Sequence, residues 1–80
     1  MDKNLQDQKR FLEQQLQWSK EQTRILDEIN VKLYEMKEIA EYVLEHELTP
    51  EEIEKLNAQM KDLKDVVHYL EKQLHSVVVH

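Results

Sequence analysis

Eighty residues make at most one small domain, and this chain has no glycine, one proline, no cysteine and 35% charged side chains, for a net charge of −6. Glycine is the residue that most readily takes positive φ, so its absence argues against turn-rich β and α/β folds and for long helices joined by few turns. Disulfides, iron–sulfur clusters and Cys–zinc sites are excluded, and the acidic balance disfavours general nucleic-acid binding, which runs on phosphate neutralisation.

Nothing between residues 3 and 47 breaks a helix, and Glu, Lys, Gln and Leu, all good helix formers, dominate the composition. One helix is expected over about residues 4–47. From Leu26 onward its apolar residues alternate spacings of three and four as Leu26, Ile29, Leu33, Met36, Ala40 and Val43, with Ile25, Ile39 and Leu44 beside that seam. Before Leu26 the pattern changes. The a positions continue as Leu5, Leu12 and Ser19, the d positions become Gln8, Gln15 and Gln22, and the apolar residues shift to the flanks as Phe11, Trp18 and Leu16. Charge changes along the same helix. Residues 1–24 carry five basic and four acidic side chains (+1), residues 25–47 two and seven (−5), and residues 48–80 four and six (−2).

A residue that precedes proline disfavours the α region, so Thr49 before Pro50 ends the first helix and the turn is expected at residues 48–49. The second helix, about 50–78, has the clearest pattern in the chain: Ile53, Leu56, Met60, Leu63, Val67, Leu70, Leu74 and Val77 alternate three and four without a miss. Thr49 can cap it, Pro50 suits its first position, and Glu52 completes a capping box, with Glu51 and Glu52 facing the positive end of the helix dipole.

So short a connection makes the helices antiparallel, with facing residue numbers that sum to about 97. That sum sets Val43 near Ile53, Ala40 near Leu56, Met36 near Met60, Leu33 near Leu63, Ile29 near Val67 and Leu26 near Leu70. His80 then lies opposite residue 17, and about 16 residues of helix 1, roughly 24 Å at ~1.5 Å per residue, overhang with no partner in the hairpin. Residues 1–22 therefore form the expected interaction segment. Leu5, Phe11, Leu12, Gln15, Leu16, Trp18, Gln22 and Ile25 are the expected partner-binding residues, because a contiguous apolar stripe that includes Trp and Phe calls for cover. Ile25, Ile39, Leu44, Val66 and Val78, flanking the seam, call for cover as well. The expected fold is all-α, an antiparallel, coiled-coil-like two-helix hairpin that associates as a homodimer into a four-helix bundle.

Chemistry finds little footing. His46, His68, His75 and His80 lack the i,i+4 spacing of helical metal ligands, and no Glu-x-x-His occurs. Glu71 and His75, at i,i+4, can offer two ligands at most and read more simply as solvated. The acidic residues around the turn, from Glu35 through Glu54, read as a solvated rim. Ser19, Ser76, Thr23 and Thr49 are the only hydroxyls apart from the tyrosines, and no phosphate-cradling loop or nucleophile elbow is possible without glycine. No catalytic residue, metal or cofactor is expected. Lys3, Arg10 and Arg24 share the outward f position, so a Rop-like RNA-binding bundle is the alternative to a protein-binding module, and an assembly or scaffold subunit is a third reading. The Gln8, Gln15 and Gln22 ladder either faces solvent or lines a semi-polar groove that fixes register and partner choice. In size and shape the hairpin resembles small helical chaperones, secretion-needle subunits and regulators that dock a hairpin on a kinase or polymerase. The Trp-x-Gly turn of secreted hairpins is absent, because Ser19 and Lys20 follow Trp18. The start, MDKNLQDQKR, has no signal-peptide core, and no uncharged run reaches the length of a membrane span; a cytoplasmic protein is expected.

Overall fold

The computed structural model describes residues 3–78; Met1, Asp2, Val79 and His80, the last among them a weighed ligand candidate, lie outside the described residues. Two helices, α1 (Lys3–Glu45) and α2 (Pro50–Val78), pack against each other, and there is no strand among the described residues. At 43 residues α1 spans about 65 Å. It sets the long dimension of a body whose extents are 72 × 18 × 13 Å. The radius of gyration is 20.1 Å. A globular domain of this size would have about 12 Å, so the molecule is a rod.

Helix α1 stops at Glu45, two residues before the expected end. Its last turn has no basic residue to meet the negative end of the dipole. His46 takes over that end instead. Its Nδ1 donates to the Tyr42 carbonyl at 2.9 Å, and its ring stacks on Tyr42 with centroids 4.0 Å apart. One of the orphan carbonyls of a helix terminus is thereby satisfied without glycine. No described residue takes positive φ, so the glycine-free connection over residues 46–49 runs entirely through conformations open to any residue. Thr49 then starts α2. The Glu52 amide donates to Thr49 Oγ1 at 3.1 Å, and that hydroxyl donates to Glu52 Oε1 at 3.2 Å. The Glu52 carboxylate thus closes on the capping hydroxyl, whereas in the usual capping box it reaches the backbone amide.

The core is thin. Ile25, Ile29, Val67 and Leu70 are its buried side chains, with Met36, Leu74 and Val77 packed against them. On α2 the expected seam holds from Leu56 to Val77, and only Ile53 is left open. On α1 the seam is not the expected one. The residues turned toward α2 are Gln22, Ile25, Ile29, Lys32, Met36 and Ile39, while Leu26 and Leu33 stay 43% and 46% exposed and Ala40 and Val43 are also exposed. Helix α1 is therefore rotated by roughly 50° about its axis from the expected setting, so that g and d positions face α2 in place of a and d. The gain lies at the two ends of the seam. This face carries Trp18 and Ile39, where the other offers Ser19 and Ala40. The cost is Lys32 in place of Leu33, which is tolerable because a lysine can lay its stem along apolar surface and keep its ammonium in water, here 3.7 Å from Glu35.

Candidate interaction surface

Every described residue before Glu21 is exposed. Trp18 marks where the hairpin ends. Its indole N–H donates to the Val77 carbonyl in the last turn of α2, a group with no partner inside that helix. These two residue numbers sum to 95, close to the expected axial register. Residues 3–13, about 16 Å of helix, extend past the end of α2, whose Ser76 and Val77 share a shallow groove with Gln14, Gln17 and Trp18.

Two faces diverge along this segment. One continues the intramolecular seam as Phe11 and Trp18 at g with Gln8, Gln15 and Gln22 at d. The other carries Leu5, Leu12 and Leu16, which with Gln8 and Lys9 line a shallow apolar groove open to solvent. Leu12 is 65% exposed, and Leu5, Phe11 and Leu16 are nearly as open.

The expected partner-binding residues separate accordingly. Leu5, Phe11, Leu12, Gln15 and Leu16 stand exposed on α1. Ile25 does not belong with them: at 1% exposure it is the most buried side chain of the core, taken by α2 because the seam runs through g positions. Gln22 is half-buried in the same seam, and Trp18 is engaged in closing the hairpin. The glutamine ladder is thus split, with Gln22 against α2 and Gln8 and Gln15 in the open.

Three residues belong to the open surface that sequence reasoning had placed in the core or at its margin. Leu26, Leu33 and Leu44 prolong the Leu5, Leu12 and Leu16 stripe along α1, and Leu44 is 86% exposed. The signal was present in the a positions Leu5, Leu12, Leu26 and Leu33, interrupted by Ser19.

Two glutamates flank one of the surface cations. The Arg24 guanidinium bonds Glu21 at 2.7 Å and Glu28 at 2.5 Å. The hydrogen bond from Arg24 holds the Glu21 carboxyl below the usual carboxylate value, and the same bond raises Arg24. Thr23 Oγ1 donates to the Ser19 carbonyl at 3.0 Å, which turns a hydroxyl on the open stripe back onto its own helix. Among the described residues no three His, Asp or Glu side chains gather as a metal site, and no helix is long and apolar enough to cross a membrane. Set against family models, curated proteins and solved structures, the chain finds no match in any of the three.

Proposed function

We propose that this chain is a non-catalytic interaction module that works by presenting α1 to other helices, with a second copy of itself among them. One observation carries the reading: an exposed apolar stripe runs along a single helix from the overhang into the paired region, through Leu5, Leu12, Leu16, Leu26, Leu33 and Leu44. Scattered exposed leucines are ordinary surface, whereas six aligned on one face of a helix, with short polar residues and two lysine stems between them, make the amphipathic face that a partner helix takes. Among the described residues the body is only two helices wide, which favours a binding face over a shielded reaction site. The cysteine-free composition fits a cytosolic setting.

The RNA-binding alternative draws less support, because Arg24 is clasped between two glutamates and only Lys3 and Arg10 of the basic stripe stand clear of them. Thermal unfolding followed by circular dichroism tests the reading. The melting temperature of the chain rises with protein concentration, and Leu16→Glu with Leu33→Glu removes that rise. A concentration-independent melting temperature, together with unprotected amides in the first half of α1, would overturn it.

A further inference from the structure

We infer that the occupant of the α1 stripe is the α1 stripe of a second copy, laid antiparallel across a twofold axis near residues 23–26. This rests on the interaction-module reading and gives it a partner and a register. The stripe occupies a and e positions: Leu5, Lys9, Leu12, Leu16, Ser19, Thr23, Leu26, Asn30, Leu33, Lys37, Ala40 and Leu44 alternate strictly between the two. It points about 110° away from the g and d seam that holds α2, so both faces can be covered at once, as adjacent faces of a helix in a bundle are.

A twofold axis pairs a with e only when facing residue numbers sum to about 49, or to that value shifted by a heptad. At 49, Leu5 meets Leu44 of the second copy, Leu16 meets Leu33, Thr23 meets Leu26, and Ser19 meets Asn30. The small Ala40 faces the long stem of Lys9, and Leu12 lies against the stem of Lys37. Charge then decides among the registers. Along one flank the e lysines meet b glutamates, Lys9 beside Glu41 and Lys37 beside Glu13, and the b positions bring Lys20 beside Asp27, each pair occurring twice. A shift of one heptad one way sets Lys20 against its own symmetry mate and Glu13 against Asp27. A shift the other way sets Lys20 near Lys37 and Glu13 near Glu41, and both shifts leave fewer leucines facing leucines. The favoured register also lays the basic first half of α1 along the acidic second half of its copy, where the last turn of α1 lacks basic residues of its own. In that arrangement Lys37 and Glu41, 3.8 Å apart within one chain, become the middle of a four-charge row.

The sequence contains no cysteine, so introduced ones report alone. Leu16→Cys and Leu33→Cys chains, mixed and oxidised, give the mixed disulfide as the dominant product, while Leu16→Cys alone crosslinks poorly. A second arm leaves the leucines intact. Lys9→Glu weakens association by about tenfold because two symmetric pairs turn repulsive, and adding Glu41→Lys restores it. A chain of dimer mass in which Leu16→Cys crosslinks to itself as readily as to Leu33→Cys, or in which Glu41→Lys fails to rescue Lys9→Glu, overturns the register and leaves the module reading standing. A chain that stays monomeric overturns both.

Discussion

Trp18 is the residue at which the hairpin becomes an open helix. Two things place it there: the ring lines a shallow groove with Ser76 and Val77 of α2, and the indole N–H satisfies a helix-terminal carbonyl. Replacing it by Phe keeps most of the ring and removes the donor, so Trp18→Phe is expected to cost about 1 kcal/mol, read from denaturant unfolding at fixed protein concentration. Thr49 anchors the opposite end. Its hydroxyl accepts from Glu52, and Thr49→Ala is expected to lower stability by about 1 kcal/mol, while Thr49→Ser, which keeps the oxygen, costs much less. The Arg24 pairs differ in kind, because their side chains are close to half exposed and screened by water. The carboxyl of Glu21 is depressed in the folded state, so its contribution is present above the ordinary glutamate value and lost as pH falls through the lowered one. That contribution is small, and Glu21→Gln leaves the melting temperature at neutral pH nearly unchanged.

At the scale of the helix, α1 leaves more apolar surface open than α2 does. A single seam takes most of the large apolar side chains of α2, with Ile53, Val66, Tyr69 and Val78 left exposed, and its unbroken heptads are why it could be read directly. On α1 two stripes lie side by side, one through Ile25 and Ile39 and one through Leu26 and Leu33. Periodicity alone does not choose between neighbouring stripes, since both repeat every seven residues. The choice is tertiary: only the first stripe brings Trp18 onto the end of α2. The same limit applies to the end of α1, where proline at 50 announced a stop but the histidine cap that sets it at Glu45 depends on a ring stacking back on Tyr42. The assignment of faces is open to a paired test. Ile25→Ala removes a fully buried side chain and is expected to cost about 2–5 kcal/mol, enough to unfold a hairpin with so small a core. Leu26→Ala, one residue away, leaves the hairpin folded and weakens its association instead. If Leu26→Ala proved the more destabilising at low protein concentration, the seam assigned here would be wrong.

As a whole, the molecule is a rod whose two ends differ in chemistry. Near the turn it is capped, acidic and closed on itself; toward Lys3 it is a lone helix with leucines on one face and Phe11 with two glutamines on another. Such a helix, without tertiary cover, draws little stability from propensity alone, so association and helicity of the first half of α1 are coupled. The all-helical hairpin and the polar interruption before residue 25 were legible in the sequence because they follow from composition and local spacing. The surface left over was only partly legible, because it depends on which face of α1 the second helix takes. Sedimentation equilibrium across a wide concentration range addresses the central claim, that this leftover stripe is an association face. The mass is expected to climb from the 9.7 kDa of the chain toward twice that value as concentration rises, and not to climb for Leu16→Glu with Leu33→Glu. A mass of 9.7 kDa at every concentration would contradict it.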